Sequence, residues 1–387
     1  MSARGAERLL AGHPWVYRSD VERPAERPGF ARVLDPAGRP LGWAAVHPTS
    51  QIAVRLLHRR DEPIDEELLL GRLDESLARR AALARDPSAQ MDGVDAYRLV
   101  HAEADGLPGL VVERFASVLV IQNGCAALEP HLDAFVEHLR ERLDPEGILG
   151  RLDAGVRDLE GLKREVRVLA GAVPEVIEVS DGVLRWPLRP REGQKTGAFL
   201  DQRLNRRRLA AHAKGAALDV FSYQGGFGLH LLRAGARSVE LVDSSEEALA
   251  VARAAAQANG LAPPTTTRAD AFERLRECDR AGAQFDVIAL DPPALAKRAR
   301  DLPRATRGYK ELNLRALRLL APGGVLGTAS CSAHLQEAEF LNVLADAAAD
   351  AARSVQVLGR FGAAPDHPEL LGFPESAYLK FVLLRVL

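Results

Sequence analysis

Cys331 stands in Thr328-Ala-Ser-Cys-Ser332, and Asp291 heads Asp291-Pro-Pro293; each follows an apolar run. A thiolate is the natural nucleophile for addition to C6 of a pyrimidine. That addition turns C5 into an enamine carbon able to attack a methyl sulfonium, and neither ring carbon is otherwise nucleophilic enough. Asp291 would hold the ring at N3 as negative charge builds there. The two prolines stiffen the loop and fix where the carboxylate and the backbone carbonyl point. A single cysteine is more often buried filler, and a strand-ending turn is often only a turn. Here the cysteine follows a strand, in a small polar loop expected at the same sheet edge as Asp291, which favours the chemical reading. Cys125 and Cys278 have no such setting and read as structural. The three cysteines form no CxxC pair, so neither a zinc site nor a disulfide framework is expected.

A second constellation lies upstream, in Leu218-Asp-Val-Phe-Ser-Tyr-Gln-Gly-Gly-Phe-Gly228. A strand runs into a glycine-rich turn and then a helix. Gly225, Gly226 and Gly228 would let the backbone turn tightly and approach a ligand closely. Alone this is a weak signal. It gains weight from Asp243, which closes the next strand where a ribose diol needs an acceptor, and from Asp270, which falls where a third strand should end and would hold an adenine amino group. The competing reading is that both acids cap the helices that follow. A nicotinamide dinucleotide would suit glycine loop plus acid, but the loop departs from G-x-G-x-x-G and its sheet stands late in the chain.

These residues need a parallel, doubly wound sheet to carry them. Buried-strand runs are predicted at 218–221, 238–242, 285–290 and 325–329, with helices at 227–234, 246–258 and 309–320 between them. Ala321-Pro-Gly-Gly324 reads as a turn, and 378–386 as one more strand. Ligands of such sheets bind outside the carboxyl ends of the strands. Residues 1–60 read instead as short strands at 15–17, 31–34, 41–46 and 52–56, punctuated by proline and glycine, which suits a small β-barrel-like module. A connecting helix is predicted over 66–84. Between 92 and 186 strands at 97–102, 109–115, 118–122, 148–149 and 176–179 and a helix at 129–143 make a central α+β unit. The expected domains are 1–70, 71–186 and 187–387.

With 387 residues, 47% hydrophobic and 27% charged, the chain has the composition of a soluble globular protein with two or three domains. No apolar run is long enough for a signal peptide or a membrane span, so a cytosolic protein is expected. The net charge of -2 does not advertise a nucleic-acid binder. Local charge does: residues 1–60 hold ten Lys/Arg against five Asp/Glu, residues 189–208 seven against two, and residues 295–318 eight against two. Solvated faces would explain any one run; three, two of them flanking the motifs above, point to phosphate contacts.

The chain resembles the bacterial 23S ribosomal RNA cytosine-C5 methyltransferases that carry an N-terminal PUA domain. The marks are His13-Pro-Trp-Val-Tyr17, Ala104-Asp-Gly-Leu-Pro-Gly-Leu110, Lys195-Thr-Gly-Ala-Phe-Leu-Asp-Gln-Arg203, Phe221-Ser-Tyr-Gln-Gly-Gly-Phe227, Asp291-Pro-Pro293, Arg307-Gly-Tyr-Lys310, Ser330-Cys-Ser332, Ala364-Pro-Asp-His-Pro368 and Tyr378-Leu-Lys380. Together they span nearly the whole chain. The resemblance implies a PUA-like RNA-binding domain, a central α+β domain and a class I methyltransferase domain, Rossmann-like, its mostly parallel sheet closed by an antiparallel last strand. It implies S-adenosylmethionine as methyl donor, large-subunit ribosomal RNA as partner, a nucleophilic cysteine at Cys331, 5-methylcytidine as product and a homodimer. The pocket is expected from Phe199, Asp201, Gln202 and Arg203 ahead of the sheet, from Asp219, Phe221, Ser222, Tyr223, Gly225, Gly226 and Gly228 in the loop, and from Asp243, Ser244, Asp270, Ala271, Asp291 and Pro292; Cys331 and Asp291 are the catalytic pair, and no metal is expected.

The segment 195–203 precedes the first strand and would fold over the cofactor; the plainer reading is a solvent-facing helix start. One departure from the family stands out: some relatives carry Lys and an aromatic after the second proline, where this chain has Ala294 and Leu295, with Lys297, Arg298 and Arg300 close behind. A cytosine inside an A-form helix hides C5 and C6, so the target would be unpaired or turned out at a cost of a few kcal/mol. Two other readings remain: an RNA N-methyltransferase acting on a purine through Asp291-Pro-Pro293, and an inactive RNA-binding assembly factor.

Overall fold

The computed structural model describes residues 1–192, 198–296 and 298–387; of the residues singled out above, Lys195, Thr196, Gly197 and Lys297 lie outside the described residues. Two compact units emerge.

The first comprises residues 1–182, 188–200 and 365–373. It opens with a helix the strand pattern did not predict, α1 (Ala3–Leu10), capped by the Ser2 side chain, which accepts from Gly5 N. Its apolar positions Ala6 and Leu9, three apart, are buried. β1 (Trp15–Tyr17), β2 (Gly29–Leu34), β3 (Pro40–Val46) and β4 (Ile52–His58) form an antiparallel sheet in the order β1-β4-β3-β2, and Leu9 packs with Val16, Val33, Ala44 and Val54 beneath it. α2 (Glu66–Leu83), capped by Asp65, follows. A five-stranded sheet then runs β5 (Ala96–His101), β6 (Leu110–Phe115), β7 (Val118–Asn123), β8 (Gly147–Leu152) and β9 (Glu165–Gly171) in chain order, parallel at β7–β8 and antiparallel elsewhere. The helix expected over 129–143 divides near Pro130 into a 3-10 segment, Ala126–His131, and α3 (Leu132–Leu143), because proline removes a helical donor. α4 (Val156–Leu159) is one turn. β9 was not predicted: it is an edge strand with Val166 and Val168 both exposed, so its sequence carries no buried face. β10 (Ile177–Ser180) and β11 (Arg185–Leu188) come next in the chain.

The second unit comprises residues 183–187, 201–364 and 374–387. Its elements are α5 (Arg203–Ala210), β12 (Ala216–Val220), α6 (Gly226–Arg233), β13 (Ser238–Asp243), α7 (Glu246–Ala258), β14 (Thr265–Arg268), α8 (Ala271–Arg280), β15 (Phe285–Leu290), α9 (Leu302–Leu319), β16 (Leu320–Ser330), α10 (Glu337–Asp350), β17 (Val355–Phe361) and β18 (Lys380–Val386). The seven strands lie in the order β14-β13-β12-β15-β16-β18-β17. β14 to β16 are parallel, and β18 is antiparallel between β16 and β17, as expected of the last strand. Alternate residues feed two cores: Leu218, Val220, Ile288, Leu290 and Leu326 on one face, Ala217, Val287, Ala289, Val325 and Ala329 on the other. Strand order reverses between β12 and β15, which opens the crevice where such sheets bind ligands.

Three predictions need correction here. Residues 321–324 do not separate a helix from a strand; they bulge out within β16, between the pairings of Leu320 with Phe285 and Val325 with Val287, with Gly323 at φ 72°. α9 begins at Leu302, with proline in its first turn, where a missing N–H costs nothing. α10 and β17 were not predicted: α10 starts at a capping box, Gln336 with Glu339, and the alternation of β17 is broken by a register shift between Val357 and Gly359. Among the described residues, no helix is long and apolar enough to cross a membrane.

Candidate active site

β12 ends in a loop whose backbone is strained. Phe221 and Tyr223 have φ of 62° and 47°, a region that bulky side chains rarely enter. The neighbouring strand holds them there: Ser222 N donates to Val242 O at 3.0 Å, and Tyr223 N to Asp243 Oδ2 at 2.8 Å. Gly225, at φ 76°, then starts α6. At Gly226 a Cβ would come within 2.7 Å of Arg206 Nε, and at Gly228 within 2.3 Å of Leu241 Cδ2. The close approaches that demand glycine there are thus to protein side chains, not only to a ligand.

Asp219 is the buried acid of this loop. Its Oδ2 accepts from Gly228 N at 2.7 Å, and its Oδ1 has no partner among the described residues. Burial pushes the carboxyl up to about 7, against the Gly228 hydrogen bond and with the Asp291 and Asp243 charges adding to the rise. Three carboxylates therefore converge where β12, β13 and β15 end. Ser222 Oγ and Gln202 Nε2 are also buried without partners among the described residues. Unspent polar atoms around a raised acid suit a ligand that brings positive charge and hydrogen bonds.

Asp243 is not a helix cap. Its Oδ1 accepts from Ser245 N at 2.9 Å, and Ser245 itself caps α7; Ser244 is exposed. Asp270 does cap its helix, accepting from Glu273 N at 3.1 Å ahead of α8, and buried Ala271 follows it. Asp201, Gln202 and Arg203 are buried, so this is not a solvent-facing helix start. Tyr378 OH donates to Asp201 Oδ2 at 2.6 Å, and Asn205 Nδ2 to Gln202 Oε1 at 2.7 Å. Phe199 is half-buried just ahead of them in the chain, within the first unit.

The second cluster lies across the switch point. Asp291 follows β15, its N donating to Val220 O at 3.4 Å. Cys331 follows β16, half-buried, and its Sγ lies 3.8 Å from the Pro292 carbonyl oxygen that accepts from it. The structure thus brings Asp291, Pro292 and Cys331 to one edge. The loops are stitched by residues given no role in the sequence reading. Ser332 Oγ accepts from Ala296 N at 3.1 Å and shares a hydrogen bond of 3.0 Å with Tyr309 OH, and Lys380 Nζ donates to Ser332 O at 2.7 Å. Burial raises the Tyr309 phenol, so it stays neutral. Arg307-Gly-Tyr-Lys310 and Tyr378-Leu-Lys380 were the available signal. Cys125 and Cys278 are buried, and burial pushes the Cys125 thiol up to about 11, which leaves it inert. No group of His, Cys, Asp and Glu able to hold a metal occurs among the described residues.

The PUA-like domain family matches residues 1–59, and the S-adenosylmethionine-dependent methyltransferase family matches residues 163–385. Ribosomal RNA large subunit methyltransferase I of Aeromonas hydrophila is 39% identical, over 99% of this chain and 98% of its own. The protein of that name from Klebsiella pneumoniae is 38% identical, over 100% and 97%. Among solved structures, a Streptococcus mutans protein described as a SAM-dependent methyltransferase superposes with a TM-score of 0.84 at 19% identity, covering 99% of this chain and 98% of that one. A methyltransferase in complex with SAH gives 0.85 at 18%, covering 100% and 98%. These two likenesses are of fold.

Proposed function

Because the chain belongs to the S-adenosylmethionine-dependent methyltransferases that carry a PUA-like domain, we propose that it methylates C5 of a cytidine in large-subunit ribosomal RNA. The observation that carries this reading is the thiol of Cys331 against the Pro292 carbonyl, beside Asp291 and across the switch point from the acidic glycine loop. The relatives named above supply the RNA class.

S-adenosylmethionine, when bound, supplies an electrophilic methyl on a sulfonium. The residues present fit it: Asp219, whose Oδ1 has no partner among the described residues, would balance its positive charge, Asp243 would take the ribose hydroxyls, and Asp270 the adenine amino group. Asp201, Gln202, Arg203, Phe221, Ser222, Tyr223, Gly225, Gly226, Gly228, Ser244, Ala271 and Pro292 would complete the pocket. Cys331 would add as thiolate to C6 of the target base: its electron pair forms the S–C6 bond, the C5=C6 π pair is displaced into the ring, and C5 becomes a nucleophile toward an electrophilic methyl. Asp291, taking up a proton as the base binds, would donate a hydrogen bond to N3 as negative charge builds there. Loss of the C5 proton then lets the thiolate leave. Residues 1–70 grip RNA phosphates, with salt-sensitive affinity, 71–186 form a central domain, 187–387 hold the chemistry, and two copies pair as a homodimer.

The test is methyl transfer from labelled S-adenosylmethionine to unmodified large-subunit RNA, with nucleoside analysis of the product. 5-Methylcytidine is expected. A methylated purine would overturn the role of Cys331, and absence of label would favour an assembly factor.

A further inference from the structure

The Tyr378-Leu-Lys380 stretch has no part in the chemistry so far, yet it brings a cation to the carbonyl of the residue that follows the cysteine. Lys380 opens β18 opposite Ser330 of β16, one residue before Cys331. Its side chain is 6% exposed. Nζ donates to Ser332 O at 2.7 Å and to Tyr378 O at 2.8 Å. An ammonium has three donors, so one N–H is left over. Among the described residues its hydrogen-bond partners are these two neutral carbonyls. A buried ammonium without an anion is costly, and an anion formed beside it relieves that cost.

We propose that Lys380 is the counter-ion of the Cys331 thiolate, a positioning residue that grips the carbonyl next to the cysteine and favours the ionised nucleophile at neutral pH. This deepens the reading of Cys331 as nucleophile and rests on it. The thiol proton leaves to solvent and Lys380 stays protonated.

The surroundings agree. Burial draws Lys380 down to about 8, and the Cys331 and Glu337 charges oppose that fall. The pair therefore holds its ammonium at pH 7. Tyr309 reaches in from α9, neutral and hydrogen-bonded to Ser332. Glu337 of α10 is half exposed and paired at 3.9 Å with Arg360 of β17. His334 is exposed in the loop. Asp291, next to the Pro292 that accepts from Cys331, brings negative charge that works against a thiolate. Lys380 is the buried cation that offsets it. The arrangement also explains why a lysine opens a strand whose next four residues, Phe381, Val382, Leu383 and Leu384, are all buried.

The experiment titrates the thiol itself. Full-length protein is alkylated with iodoacetamide from about pH 5 to about pH 10, a range that brackets free-thiol ionisation. Peptide mass mapping separates Cys331 from the buried Cys125 and Cys278. The wild-type midpoint is expected below the free-thiol value of roughly 8.5. Lys380→Met and Lys380→Gln should raise it by about one unit or more, slowing alkylation at pH 7 about tenfold. Lys380→Arg should stay near wild type. Affinity for S-adenosylhomocysteine, measured alongside, identifies the variants that remain folded. An unchanged midpoint in a neutral variant that still binds S-adenosylhomocysteine overturns the proposal. Should both neutral variants lose binding, the wild type decides: a midpoint at or above roughly 8.5 sinks the idea, and a lower one kept by Lys380→Arg upholds it. Failure of the nucleophile reading would show separately, as methyl transfer retained by Cys331→Ala.

Discussion

The two halves of the sheet edge are built on different principles. At β12 and β13 the backbone does the shaping: Phe221 and Tyr223 sit at positive φ, and carboxylates from Asp219 and Asp243 hold the amides of Gly228, Tyr223 and Ser245. At β15, β16 and β18 side chains do it: Ser332, Tyr309 and Lys380 fasten two loops, and no non-glycine described residue of 291–300 or 331–336 takes a positive φ. The first half gathers acids and leaves Asp219 Oδ1 without a partner among the described residues. The second sets a thiol among hydroxyls and an ammonium. One edge thus suits a cationic ligand, and the other suits an anion made in place.

The sharpest way to break this contrast is Cys331→Ala. It should lower methyl transfer about a thousandfold or more while S-adenosylhomocysteine binds as before. RNA containing 5-fluorocytidine should attach covalently to wild type alone, and equal turnover of the two proteins would end the nucleophile claim. Asp219→Asn tests the other half and should weaken S-adenosylmethionine binding about tenfold to a hundredfold.

The same acid gives a pH signature. Its carboxyl, raised to about 7 by burial, keeps its proton in the folded ligand-free protein where the unfolded chain has lost it. The unfolded state then binds fewer protons between roughly pH 4 and pH 7, so this group's contribution to stability is complete below that window and lost across it as pH rises. Its size is on the order of a few kcal/mol. Urea unfolding of wild type against Asp219→Asn reads the difference, and parallel pH profiles would remove Asp219 from the argument. Ser332→Ala should cost about 2 kcal/mol in urea unfolding, since Ala296 N and Tyr309 OH lose a buried partner; no change would mean the stitch is not structural. Tyr378→Phe, the mildest, frees Asp201 Oδ2 of one donor and should loosen S-adenosylhomocysteine by about 1 kcal/mol, measured by calorimetry.

Legibility followed locality. Runs such as Phe285–Leu290 declare buried strands, and Asp291-Pro-Pro293 declares what they deliver, because the signal and its consequence are adjacent in the chain. α1 hid because its helical face is only two buried apolar side chains and a serine cap. Residues 321–324 looked like the turn before a new strand because Pro-Gly-Gly usually is one, whereas they form a bulge inside β16, which pairs with β15 at Leu320 before it and from Val325 after it. The burial of Asp201, Gln202 and Arg203 ran against their polarity. Lys380 meets Ser332 from 48 residues away and through a backbone carbonyl, a partner that no side-chain pattern reports.

β18 is the strand made after all the others of its sheet, and it lies inside, between β16 and β17. During synthesis β16 and β17 therefore emerge from the ribosome with no neighbour on those flanks, and their unpaired backbone edges must wait. The row that sets Lys380 opposite Ser330 and the contact of Tyr378 with Asp201 therefore close together, at the end of synthesis, so donor pocket and nucleophile loop are finished in one step.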